Sequence, residues 1–152
     1  MAETRWFSEP NGAFEVPVPA GWTAALDAED GAVLLAPAEG AGSLHLLAFA
    51  GPLDEPADPA EELFAFLDEE EVELEEDDVE DVELGEGAAL ALCEYLTEDE
   101  DDAEGATFWL MAVATAPGAL VFASYSCPAG EEDAEREAVR AVLAGLRLRA
   151  RH

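Results

Sequence analysis

Ala106 to Ser126 reads ATFWLMAVATAPGALVFASYS, and this stretch decides the fold class. Pro117-Gly118 marks a tight turn, because proline presets one turn torsion and glycine accepts the positive φ that follows. The apolar runs on either side, Ala106 to Thr115 and Ala119 to Ser126, read as two strands. A two-residue turn between them pairs Trp109 with Ser126. Ala88 to Leu96 precedes them as a third strand, joined across an acidic loop. A register pairing Leu96 with Ala106 sets Cys93 against Trp109. Cys93 and Cys127 then lie two strands apart, near 10 Å at about 4.8 Å per step. That exceeds the roughly 7 Å a disulfide can span. The expectation is two free, half-buried thiols, in keeping with a reducing compartment.

Toward the N-terminus, Ser43 to Ala50 reads as a strand that is nearly continuous in apolar residues, and Ala32 to Pro37 as another, with a turn at Gly40 to Gly42. Asp30-Gly31 is a hairpin signal joining the latter to a strand over Trp22 to Leu26. Phe14, Val16 and Val18 alternate with Glu15 and Pro17, a strand pattern whose proline belongs on an edge. Pro19 to Trp22 breaks it, Pro10-Asn11-Gly12 is a turn, and Trp6-Phe7 opens the chain as an apolar pair.

Two helices interrupt the strands. Asp58, Pro59 and Glu61 supply an N-cap, a first-position proline and first-turn acid, and Leu63, Phe66 and Leu67 form one apolar stripe. The acid run from Asp68 to Asp81 reads as a continuation, held to the protein by Val72, Leu74, Val79 and Val82. The second helix is expected over Glu131 to Leu146, with acids at its positive end and Val139, Val142, Leu143 and Leu146 as its buried stripe. Glu132 and Arg136 would pair at i, i+4, and Leu148 with the Arg-rich end would trail off. The order of strands, helix, strands, helix predicts an α+β fold: a mainly antiparallel sheet of about six or seven strands with two principal helices. Residues 1–152 suit a single domain.

Charge sets the character of the surface. Six basic and 37 acidic side chains give a formal net charge of −31, yet half of the residues are apolar, so a core can form. From Trp6 to Glu135 there is no Lys or Arg, and 20 of the 37 residues from Asp68 to Glu104 are acidic. This balance argues against nucleic acid, whose phosphates need clustered cations. No apolar run reaches the roughly 18 residues of a membrane span, and Met1 to Pro10 does not read as a signal peptide, which points to a cytoplasmic protein. Lys, Ile and Gln are absent while Ala fills 31 positions, a GC-rich coding bias that explains alanine but not 37 carboxylates. Two physical causes remain for those. One is adaptation to a salt-filled cytoplasm, where the Debye length falls to about 3 Å and self-repulsion is screened. The other is a basic protein partner. The first is preferred.

Candidate chemistry is sparse. His45, the one internal histidine, shares a face with Ser43, Leu47 and Phe49 and reads as a packed or rim residue. No GxSxG, zinc-type Cys/His spacing or phosphate-cradling glycine loop occurs, so no catalytic residue, metal or cofactor is expected. Asp99, Glu100, Asp101, Asp102 and Glu104 form the densest acidic loop and are the candidate contacts for a basic partner. As a calcium loop counted from Asp99 it fails, because the fifth position is Ala103, the sixth Glu104 and the twelfth Leu110. Trp6, Trp22 and Trp109 read as core, with Trp109, Met111 and Phe122 striped along one sheet face. Should both faces of that sheet prove apolar with only one covered, the other is a partner surface.

One motif is familiar. Phe14-Glu15-Val16-Pro17-Val18-Pro19-Ala20-Gly21-Trp22 resembles the opening of Mog1/PsbP-like domains, the group that includes the PsbP, DcrB and LpqN branches. Gly145-Leu146-Arg147 is similar to the stretch that ends their last helix. The resemblance implies the same α+β layout over most of the chain and a non-catalytic binding or accessory role, with no catalytic residues to carry over. The expected function is therefore a small cytoplasmic binding or accessory protein. The alternatives are an immunity- or inhibitor-type protein that neutralises a basic partner, and a secretion-type chaperone.

Overall fold

A computed structural model describes residues 5–8, 14–19, 21–26, 32–37, 42–50, 58–69, 78–85, 88–98, 106–131, 133 and 135–148. In chain order the strands are β1 (Arg5–Ser8), β2 (Phe14–Val18), β3 (Trp22–Leu26), β4 (Val33–Pro37) and β5 (Ser43–Ala50), followed by helix α1 (Pro59–Glu69). Then come β6 (Val79–Gly85), β7 (Ala88–Glu98), β8 (Ala106–Ala116), β9 (Ala119–Pro128), helix α2 (Arg136–Ala144) and β10 (Arg147–Leu148). The protein is α+β, as expected. A seven-stranded antiparallel sheet runs β3-β4-β5-β9-β8-β7-β6, and a three-stranded sheet runs β1-β2-β10.

Local chemistry accounts for the turns. Trp22 N–H donates to the Pro19 carbonyl at 3.1 Å, and Gly21 sits at φ +82°, where a side chain would strain the backbone. Gly118, at φ +80°, does the same for the β8–β9 hairpin, which pairs Trp109 with Ser126 as expected. The Asp58 carboxylate caps α1 by accepting from the Ala60 N–H at 2.9 Å and the Glu61 N–H at 3.4 Å. The turns expected at Pro10 to Gly12, Asp30-Gly31 and Gly40-Ala41 lie outside the described residues.

Several expectations are corrected. The acid run does not simply extend α1, which ends at Glu69; Val79 to Gly85 is instead an edge strand. Edge position reconciles its charge with its conformation, since Glu80, Asp81 and Glu83 stay exposed while Val79, Val82 and Leu84 pack inward. The β7–β8 register pairs Leu96 with Phe108 and Cys93 with Met111, two residues from the expected one. A slip of two preserves which side chains share a face. Pro17 lies in a strand flanked on both sides, but β10 pairs only with Phe14 and Glu15, so the Pro17 end is an edge on that side. The second helix begins at Arg136 rather than Glu131, because Glu135 turns its carboxylate inward, and Arg136 pairs with Glu94. Arg147 and Leu148 add a short strand to β2.

The core lies in two layers. On one face of the large sheet, Leu44, Leu46, Leu110, Val121 and Tyr125 pack against the small sheet and α2, whose Val139, Val142 and Leu143 are buried. On the other face, Ala91, Cys93, Met111 and Val113 pack under Leu63 and Leu67 of α1. The two cysteines form no disulfide, and both are buried rather than half-buried. They lie in different layers, Cys93 under α1 and Cys127 in the opposite one.

Candidate functional site

The face under α1 is the place to look for a site, because only part of it is covered. Strand alternation puts Thr23, Ala25, Leu34, Ala36, His45, Leu47 and Phe49 on the α1 side of β3, β4 and β5. Helix α1 lies over β7 and β8 at the other half of the sheet. Among the described residues it is the one element on this side, and none of them covers the β3–β5 half. Phe49 is 54% exposed there, and Leu34, His45 and Leu47 are half-buried.

Where the helix meets the open half there is a groove of about 500 Å³. Its floor is Leu47 and Phe49 of β5, Leu120 and Phe122 of β9, and Val113 of β8; its wall is Glu62, Ala65, Phe66 and Glu69 of α1. The register makes this floor continuous, since Leu47 is opposite Phe122 and Phe49 opposite Leu120. Phe66 sets the helix on the sheet by packing its ring on Phe122, with centroids 4.3 Å apart and planes at 56°. Glu62, Ala65, Phe66 and Glu69 fall at i, i+3, i+4 and i+7, so one helical stripe faces the groove and carries a carboxylate at each end. The groove is apolar in the middle and anionic at both margins, and its lining offers no nucleophile or imidazole.

His45 occupies the same face outside the groove and is half-buried. Its Nε2 lies 3.3 Å from Ser43 Oγ. Farther along, Tyr95 stacks on Trp109 at 6.4 Å and 16°, and the Trp109 indole N–H donates to Thr97 Oγ1 at 2.9 Å. Trp22 is core, as expected, whereas Trp6 is 42% exposed and lies under the Arg147 guanidinium at 4.3 Å.

Two polar clusters lie elsewhere and are structural. Glu135, only 6% exposed, accepts from the Tyr125 hydroxyl and from the Gly42 N–H, each at 3.0 Å. Burial first, then its neighbours Cys127 and Glu135, push the Tyr125 phenol far above its ordinary pKa and keep it a donor. A Cβ on Gly42 would fall 2.7 Å from the Tyr125 ring and hydroxyl, so only glycine fits. The second cluster joins α2 to the β6–β7 edge. Arg136 and Arg140 both bind Glu94, and Arg140 reaches Glu80 at 2.8 Å. Partial burial works to raise the Glu94 carboxyl, but the hydrogen bonds and charges of the two guanidiniums outweigh it and hold its pKa below the ordinary value. Every arginine whose side chain is described is thus engaged inside the molecule.

Asp99, Glu100, Asp101, Asp102 and Glu104 lie outside the described residues. The groove itself was not foreseen, because its position depends on where α1 settles across the sheet. Its traces in the sequence are the shared face of His45, Leu47 and Phe49 and the stripe that includes Phe122. Among the described residues no cluster of potential metal ligands forms, and no helix is long and apolar enough to cross a membrane.

No protein-family model matches the chain, and no curated protein matches it in sequence. Solved structures do. A crystal structure from Bacteroides thetaiotaomicron VPI-5482 superposes with a TM-score of 0.68 at 18% identity, covering 97% of this chain and 49% of that one. The chain therefore spans about half the length of that neighbour. The solution structure of the cyanobacterial PsbP, CyanoP, from Synechocystis sp. PCC 6803 superposes at 0.62 with 17% identity, covering 98% of this chain and 94% of that one. At such identities the likeness is one of fold: the chain has a PsbP-like α+β fold.

Proposed function

We propose that the protein is a non-catalytic binding protein whose ligand-taking surface is the open half of the α1 face, centred on the groove. The observation that supports this most directly is the exposed Phe49 at the groove, with the half-buried Leu47 and Phe122 continuing the apolar floor beside α1. A lining of phenyl rings and aliphatic groups with carboxylates only at the margin suits binding. The PsbP-like fold together with the Pro19-Ala20-Gly21-Trp22 turn supports reading the chain as a Mog1/PsbP-like family member in an accessory role. The charge of −31 is read as adaptation to molar salt. In that medium screening leaves electrostatics short-ranged, and apolar contact must supply most of the affinity.

The test uses Nile red, an uncharged dye that the anionic surface does not repel, in about 2 M KCl. Wild-type protein should enhance its emission, and Ala65→Trp, which fills the groove from an exposed helix position, should remove most of that signal. An unchanged signal in Ala65→Trp, or none in the wild type, overturns the reading.

A further inference from the structure

The groove has a length and a charge pattern that together define what would cover it. On the premise that the groove is the binding site, we infer that its occupant is a basic amphipathic helix of a protein partner, seated beside α1 on the open half of the sheet. Three observations converge on this. Glu62 and Glu69 stand seven residues apart on one stripe of α1, about 10 Å along the axis at 1.5 Å per residue, with Ala65 and Phe66 between them. A helix alongside, with cations at i and i+7 and apolar side chains at i+3 and i+4, has the same repeat, so its charges meet the carboxylates while its apolar residues meet Phe49 and Phe122. The sheet is wide enough: α1 covers β7 and β8, and β9, β5 and β4 beyond them extend about 10 to 15 Å at roughly 4.8 Å per strand, a width that, among the described residues, takes one more helix at the usual spacing of 8–10 Å.

The charge pattern also rules on other occupants. An anionic amphiphile such as a fatty acid would bring its head group to two carboxylates. A second copy of this chain has no suitable helix among its described residues: α1 is acidic, and the arginines of α2 are held by Glu94 and Glu80 while its apolar stripe is buried.

The test titrates two synthetic 14-residue helical peptides in about 0.2 M and 2 M KCl. One carries Arg at i and i+7 with Leu and Phe at i+3 and i+4; the other replaces the two Arg by Glu. The expected result is 1:1 binding of the basic peptide, roughly tenfold tighter than the acidic one at the lower salt, with a smaller gap at the higher. Ala65→Trp should abolish binding of the basic peptide, and the double change Glu62→Gln with Glu69→Gln should bring the two peptides to within about twofold. Equal binding of both peptides to the wild type overturns the charge inference and leaves the groove reading standing. So does Nile red binding without either peptide, which makes the site one for small molecules. Basic-peptide binding that survives Ala65→Trp places the contact elsewhere on the acidic surface and also overturns the inference. Failure of peptides and dye together overturns the groove reading itself.

Discussion

The two faces of the large sheet are built from the same strands by simple alternation, yet they meet different fates. One is closed by a second layer, the small sheet with α2, which buries Leu44, Leu46, Leu110, Val121 and Tyr125 completely or nearly so. The other receives, among the described residues, one 11-residue helix that covers β7 and β8 but not β3 to β5. Apolar patterning alone does not separate a core from a surface meant for a partner. What separates them is the chain that covers each face, and among the described residues α1 is the one covering element on its side.

That contrast can be broken at several points. The largest effect belongs to the closed face. Leu110→Ala should cost about 2–5 kcal/mol, read as a fall in thermal midpoint, because a fully buried leucine leaves a cavity the two layers cannot collapse. A loss below about 1 kcal/mol would mean that this layer is loosely packed. Next comes the lock behind that layer. Glu135→Ala leaves the Tyr125 hydroxyl and the Gly42 N–H without this acceptor and should cost about 1–3 kcal/mol, with Glu135→Gln milder because one carbonyl oxygen remains. Equal losses in the two variants would contradict the acceptor role.

A smaller effect follows from pH. Glu94 has its pKa lowered in the folded state, so its contribution is present above the ordinary carboxylate value and is lost as pH falls through the folded value. Stability should therefore drop on the acid side of about pH 4, the ordinary carboxylate value. Glu94→Gln should flatten that limb, and an unaltered limb would assign it to other carboxylates. Molar salt should shrink the effect, since the Arg136 side chain is 43% exposed. The smallest effect is on the open half. Phe49→Ala should change stability by less than about 1 kcal/mol while weakening Nile red and peptide binding. A loss as large as that of Leu110→Ala would place Phe49 in the core and remove the contrast.

Legibility in the sequence followed the same divide. Where a turn has fixed chemistry, as at Pro117-Gly118 or Pro19 to Trp22, strand limits and register could be read directly, and Trp109 does pair with Ser126. Across the acidic loop after Glu98 no residue anchors the pairing, and the register came out two positions away. The strand at Val79 to Gly85 was hidden because its exposed carboxylates continue those of the preceding helix, and only edge placement makes them acceptable in a sheet. Arg136 binds Glu94, 42 residues away, a contact that local spacing does not carry, while the expected partner Glu132 lies outside the described residues. The two apolar stripes were legible, Trp109, Met111 and Phe122 among them. Which part of a stripe stays open was not, since that depends on the lateral position of α1.

Methyl NMR on leucine- and valine-labelled protein, titrated with the basic peptide, tests the two-face account most directly. The groove methyls of Leu47, Leu120 and Val113 should shift together and saturably, while those of Leu44, Leu110 and Val121 in the closed layer stay in place. Shifts spread evenly over both faces, or confined to the closed layer, would contradict the assignment of the open half-face as the binding surface.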